Sequence, residues 1–264
     1  MDVFQAFVLG IVQGITEWLP ISSSGHLVIV QDLLGLDPAG NVVFDLIVHL
    51  GTLFAVMAFF RKELARIVLA VFTKGSQVGP QEHTLRLLAG LLIVGTIPAG
   101  VVGVLFSDSI ESVFDLRLVG FALLANACLL FAFERIGSEG TRRSARLRDA
   151  IVIGLFQAFA ILPGISRSGS IIGGGMMRGL ERETAAVFAF LLSVPTLMGA
   201  FAVGAVTLDN TSADLLTLVV GFFVAFAVGL ASIEYLLKAV RSKKLWVFAV
   251  YSAVVGVAVV AFTL

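Results

Sequence analysis

The chain has 264 residues, of which 58% are apolar and 14% charged, and its 18 basic and 18 acidic side chains cancel to zero net charge. A mean hydropathy of +1.03 and a pI near 6.8 exclude an ordinary soluble domain, whose apolar share is about 45–50%, and leave a nucleic acid no basic surface to bind. The composition is that of an integral membrane protein.

Residues 1–12 lack the basic n-region and small-residue cleavage site of a signal peptide and read as mature structure. Residues 3–35 are apolar but interrupted at LPISSSGH, around Pro20. Three segments then come close to the roughly 20 apolar residues of a spanning helix: 42–60, 85–106 and 117–134. The single cysteine, Cys128, lies in the last of these without disulfide or metal partners and reads as a small core residue. Residues 150–177 are interrupted in their turn at LPGISRSG, around Pro163, and three more spans follow at 184–206, 214–237 and 245–263.

Proline removes a backbone donor, and Ser and Gly favour turns. Each interrupted segment is therefore expected to form two half-length helices, a re-entrant hairpin. Irregular backbone at membrane depth is tolerated only beside protein or a water-filled cavity, so both breaks should line one polar cavity. The expected fold is all-α, with six spanning helices and two re-entrant helical hairpins in a single membrane domain, 1–264.

The two broken segments resemble each other. Adding 144 carries Gly10 to Gly154, Gln13 to Gln157, Ser22 to Ser166, Ser24 to Ser168 and Gly25 to Gly169, and the Leu-Pro pairs match with a one-residue slip. We read an internal duplication, 1–135 and 149–264, each half one hairpin followed by three spans. Three spans is an odd number, so the second half should run inverted.

Loop charges agree with that inference. Basic residues collect in 61–86 (Arg61, Lys62, Arg66, Lys74, Arg86), in 135–148, at Arg178 and Arg182, and in 238–244. All fall on one side of the six-span arrangement, the cytoplasmic side by the positive-inside rule. The outer loops 107–116 and 207–214 hold Asp108, Glu111, Asp115, Asp209 and Asp214 but no Lys or Arg. Arg117, first in its helix, can snorkel to the outer interface. Arg167, between Ser166 and Ser168 in the second break, requires a carboxylate, an anion or water.

Gln13 and Glu17 are four residues apart and share a helix face just before Pro20. An intramembrane carboxylate is functional by default, whereas Gln13 serves packing or function equally well. Ser22, Ser23 and Ser24, with Gly25 and His26, stand at the start of the second half-helix, where free N–H groups and the helix dipole bind anions. The second break offers another helix start at 166–170, and Arg167 a planar fork for phosphate. The combination suggests a phosphate or diphosphate site, with Glu17 and His26 as proton-transfer groups and a serine as nucleophile. His49 and His83 read as hydrogen-bonded structural residues, His49 within a span that could border the cavity. Gly173–Gly175 lack the Lys and strand of a P-loop and read as a close-packing surface. These residues alone also fit a transporter or lipid-carrier flippase, with Glu17 and His26 coupling protons and Arg167 anchoring a headgroup.

QGITEWLPISSSGH (13–26), PGISRSG (163–169) and GTIPAGVVG (95–103) together resemble the undecaprenyl-diphosphate phosphatase family, the bacitracin-resistance membrane proteins, over essentially the whole chain. The resemblance implies a multi-pass enzyme of the cell membrane. At the outer face it removes the terminal phosphate of undecaprenyl or another polyprenyl diphosphate. That recycles the lipid carrier of cell-wall or glycan synthesis, and membrane lipids surround the enzyme. The resemblance also implies a divalent cation, Mg2+ or Ca2+, bound with the substrate diphosphate. Residue by residue it makes Glu17 the key acid, Ser23 the leading nucleophile, His26 its base, its acid or a rival nucleophile, and Arg167 the diphosphate clamp. Gln13, Ser22, Ser24, Gly25, Ser166 and Ser168 would bind substrate, and Glu17 with Gln13 would be the metal ligands. Many members carry a second Glu where this chain has Gln13, which weakens metal ligation there. The oligomeric state stays open, a homodimer included.

Overall fold

A computed structural model describes residues 1–73, 79–111, 115–137, 140–207 and 214–264. Two helical pairs come first in each half of the chain. The first is α1 (Val3–Thr16) and α2 (Ser23–Leu33), and the second is α7 (Leu147–Phe159) and α8 (Arg167–Met177). A short 3-10 turn (Pro38–Asn41), α3 (Val42–Phe59), α4 (Arg61–Phe72), α5 (Pro80–Glu111) and α6 (Leu116–Ile136) follow the first pair. α9 (Arg182–Thr207), α10 (Leu215–Arg241) and α11 (Leu245–Phe262) follow the second. Among the described residues, six helices are long and apolar enough to cross a membrane: α3, α5, α6, α9, α10 and α11.

Two boundaries differ from expectation. Residues 61–72, assigned to a basic loop, form α4, which buries Ile67 and Ala70 and leaves Val68, Leu69 and Phe72 exposed. Its C-terminal carbonyls are capped by Arg86, whose Nε donates to Ala70 O at 2.7 Å. Second, α5 outruns the expected 85–106 at both ends, from Pro80 to Glu111. Lys74 and Asp209 lie outside the described residues, as do the side chains of Asp108 and Glu111.

The helix starts follow local chemistry. Asp2 and Gln5 exchange hydrogen bonds of 2.8 Å in a capping box that opens α1. Asp115 caps α6 through the Leu118 N–H, and Ser166 caps α8 through the Gly169 N–H at 3.1 Å. Glycines then let backbones approach, as membrane helices require in the absence of a hydrophobic drive between them. Gly10 and Gly14 seat α1 on α10, and Gly154 seats α7 against Gly95 of α5. Gly173 faces the Phe133 ring, Gly174 faces Phe156 and Gly175 faces Ala185, so this glycine run is a packing surface.

The largest buried cluster surrounds the two breaks and includes Trp18, Phe60, Ile171, Ile172, Phe190 and Leu236. Trp18 and Phe190 stand 5.5 Å apart by ring centroid. Phe54, Leu155, Phe223, Val254 and Phe262 face outward, the apolar exterior that a lipid environment accepts.

Ion pairs close one end of the second helical pair. Asp149 accepts from Arg142 at 2.7 Å, from Arg178 at 3.0 Å and from the Arg146 N–H at 2.9 Å. Burial pushes its carboxyl up, but the Arg142 hydrogen bond, the Arg146 amide and Arg178 outweigh that and hold it below the usual carboxylate range. Arg182 grips Glu134 with both terminal guanidinium nitrogens, Nη1 and Nη2, at 2.9 and 3.0 Å.

Candidate functional site

The two breaks meet. Glu17 caps the C-terminus of α1, where its N–H still reaches Gln13 O, and its side chain is fully buried. Four groups converge on that carboxylate. Ser23 Oγ donates to Oε2 at 2.6 Å, and Gln13 Nε2 donates to the same oxygen at 2.9 Å. Arg167 Nη2 donates to Oε1. His49 Nε2 stands 3.6 Å from Oε2. An intramembrane carboxylate therefore has the cation it needs, delivered from the opposite half of the chain.

The helix starts that carry Ser23 and Arg167 are built alike. Ser22 is the N-cap of α2 and Ser166 that of α8, and each residue that follows begins its helix. Ser22 sits at φ +69°, a left-handed backbone uncommon outside glycine. Its Oγ accepts the Gly164 N–H at 3.0 Å across the breaks, which holds that conformation. Gly164, at φ +95°, has Ala122 and Val119 O where a side chain would project, so the second break lies directly on α6. Ser168 Oγ donates to Leu19 O at 3.2 Å and pairs with Ser166 Oγ at 3.1 Å. Ser24 lies 3.4 Å from Ser22 by hydroxyl oxygen. Gly25 packs against Gly164.

The structure thus brings Gln13, Glu17, Ser22, Ser23, Ser24, Gly25, Ser166, Arg167 and Ser168 together. It does not put His26 among them as a partner of Ser23. Both of its ring nitrogens are engaged elsewhere, Nδ1 with Ser22 O at 2.7 Å and Nε2 with Tyr251 Oη at 2.9 Å. Those two bonds hold the His26 ring over the Ser22 carbonyl and toward Tyr251 of α11, whereas the Ser23 hydroxyl is turned to Glu17 at the end of α1. The histidine that does stand at the carboxylate is His49, read from sequence as a structural residue that could border the cavity. Asp45, His49 and Thr52 form a polar stripe at i, i+4 and i+7 of α3, and that spacing was the available signal. Thr52 Oγ1 accepts from Gln13 Nε2 at 3.4 Å.

Two features bear on what the site can hold. Gln13 Oε1 is buried, unpartnered and on the amide whose nitrogen touches Glu17. A buried orphan acceptor beside a carboxylate fits a cation, although among the described residues no group of three His, Cys, Asp or Glu assembles. Beside the site, a cavity of about 270 Å³ lies between α3 and α9, lined by Leu46, Leu50, Leu53, Leu197, Ala200 and Phe201, with Asp45 and His49 also on its wall.

An all-α multi-pass membrane protein with two broken helical pairs that converge a carboxylate, hydroxyls and a guanidinium is the class that fold and site define. The family model described as bacitracin resistance protein BacA matches residues 6–258, and the chain belongs to that family. A protein of Methanosphaera stadtmanae named undecaprenyl-diphosphatase is 39% identical over 97% of this chain and 96% of its own. Proteins of the same name from Myxococcus xanthus, 39% identical over 97% and 88%, and Parabacteroides distasonis, 36% identical over 100% and 99%, are similar along their lengths.

Proposed function

We propose that this protein is an integral-membrane phosphatase that removes the terminal phosphate of undecaprenyl diphosphate, returning the lipid monophosphate to glycan or cell-wall synthesis and conferring resistance to bacitracin. The observation that carries the reading is the Ser23 hydroxyl donating at 2.6 Å to a buried carboxylate that is itself paired with Arg167.

In this mechanism Glu17 takes the Ser23 proton as Oγ forms a bond to the terminal phosphorus. The anhydride bond to the bridging oxygen breaks, and the polyprenyl monophosphate leaves. Water then adds to the phosphoserine, inorganic phosphate departs and the proton returns to Ser23. Arg167 moves its charge from Glu17 onto the equatorial oxygens as the diphosphate enters, and the starts of α2 and α8 offer N–H groups to the same oxygens. His26 positions rather than reacts, by holding Ser22 beside the nucleophile. A divalent cation would be held by Glu17, Gln13 Oε1 and the substrate's own phosphates; it would neutralise the charge that develops on the diphosphate.

A lipid substrate suits the apolar cavity between α3 and α9. Because His49 both lines it and faces Glu17, an isoprenyl chain could lie there with its headgroup at Ser23. We further read the two helical pairs as re-entrant hairpins of an inverted duplication, 1–135 and 149–264. Packing supports this: α1 lies on α10 as α7 lies on α5, and α3 contacts α10 as α9 contacts α5. With the basic loops cytoplasmic, the first pair opens the active site to the outer face of the inner, cytoplasmic membrane.

Phosphate release from undecaprenyl diphosphate by purified protein tests the reading, with Ser23→Ala, His26→Ala and Glu17→Gln alongside and with chelator added. A transporter without catalysis releases none. A trapped phosphoryl-enzyme that survives acid marks Ser23, while an acid-labile one marks His26 and ends the Ser23 assignment.

A further inference from the structure

The breaks are tied to each other directly through Gly164 N–H to Ser22 Oγ and Ser168 Oγ to Leu19 O. Another tie comes from outside both pairs. Asn126, on α6 and 1% exposed, accepts the Ser166 N–H at Oδ1, 3.0 Å away. Its Nδ2 donates to Pro20 O at 3.1 Å and to Ser252 Oγ of α11 at 3.2 Å. Pro20 lies between Glu17 and Ser23, and Ser166 immediately precedes Arg167.

We propose that Asn126 is a positioning residue whose amide sets the distance between the Glu17–Ser23 pair and the Arg167 guanidinium. The inference rests on the phosphatase reading above. The Pro20 carbonyl belongs to neither helix of its pair, and the Ser166 amide precedes the first hydrogen-bonded turn of α8, so each requires a partner from elsewhere. One needs a donor and the other an acceptor, and a carboxamide carries both on one short planar group. Ser252 occupies the second Nδ2 proton and so orients the amide, acceptor side to Ser166. The clamp is mounted on the α6 and α11 pair, which pack tightly through Gly120 and Gly256. The relative placement of the two reacting arms is thereby referred to a part of the molecule that contributes nothing to the chemistry.

The test is a double-mutant cycle on phosphate release from farnesyl diphosphate in detergent. Asn126→Leu should lower kcat about a hundredfold, since misplacing reacting groups by about an ångström costs that much. A merely structural loss would leave Arg167 as valuable as before. With the clamp gone, Arg167→Lys should instead add less than about threefold to the defect of Asn126→Leu, although it is severe on its own. Fully multiplicative losses, or a folded Asn126→Leu enzyme with the wild-type kcat, would overturn the proposal. If Asn126→Leu fails to fold, the smaller Asn126→Ala, which likewise removes both the acceptor and the two donations, takes its place, and the same cycle with it decides. Wild-type protein that releases no phosphate would remove the phosphatase reading itself, an outcome distinct from either of these.

Discussion

In α1, Gln13 donates to Thr52 of α3; 144 residues later, Gln157 of α7 accepts from Thr196 of α9, whose number is again that of Thr52 plus 144. The same offset carries Ser23 to Arg167, each the first residue of its helix. Scaffold positions therefore repeat while chemistry does not. Glu17 corresponds to Ile161 and His49 to Ser193. A site with two equivalent carboxylates or two guanidiniums facing one another would repel. Instead one half supplies an acid and a hydroxyl, the other the cation, and both Ser23 and Arg167 end on the same carboxylate.

The largest break in that comparison is Glu17→Gln, which removes the common partner of both helix starts. Phosphate release should fall about a thousandfold, within the span of general-base losses. Moving the acid to the other half, Glu17→Ile with Ile161→Glu, should restore nothing, because by the same offset position 161 stands to Arg167 as Glu17 stands to Ser23, which leaves the hydroxyl without a base; recovered turnover would mean that the halves are interchangeable. Next comes Arg167→Lys, expected to lose about a hundredfold in kcat/KM because a bidentate fork becomes a point charge.

The two glutamines sharpen the contrast. Gln157 spends its amide on Gly95 O at 3.2 Å and on Thr196 at 3.1 Å, so it joins helices and touches no reacting group. Gln157→Leu should cost about 1–3 kcal/mol of stability through the groups it leaves unpaired, with kcat little changed. Gln13→Leu should do the reverse and depress kcat more than stability, read by melting temperature beside turnover.

The smallest effect concerns acid. Asp149 has its carboxyl held below the usual carboxylate range, so its contribution is complete above the ordinary range near 4 and is lost as pH falls through its lowered folded value. Asp149→Asn should flatten the fall in melting temperature below about pH 4 relative to wild type. An unchanged acid limb would show that the Arg142 and Arg178 pairs add nothing.

Much was legible in the chain. Hydropathy marked the six long helices, and Pro20 and Pro163 with their Ser-Gly clusters marked the breaks. Glu17 and Arg167 stood out because ionised groups are costly among apolar neighbours. His49 and Asn126 did not. Asn126 is a neutral amide in the apolar middle of α6 and His49 belongs to a polar stripe on α3 that also fits a packing role, and the importance of each depends on what lies across the interface. His26 shows the complementary limit: it neighbours the serines in sequence, but its ring nitrogens meet Ser22 O and Tyr251, partners that adjacency does not reveal.

The sequence by itself determined where the six spanning helices and the two breaks fall, though not α4, because apolar run length, proline and capping residues act within a few residues of themselves. It also determined which side chains are too polar to face lipid. Only the tertiary structure decided that Arg167 meets Glu17, that His49 rather than His26 attends the carboxylate, and that an amide on α6 spans both breaks. Those pairings join residues up to 150 positions apart, and contacts at that separation come from helix packing, which no local pattern encodes.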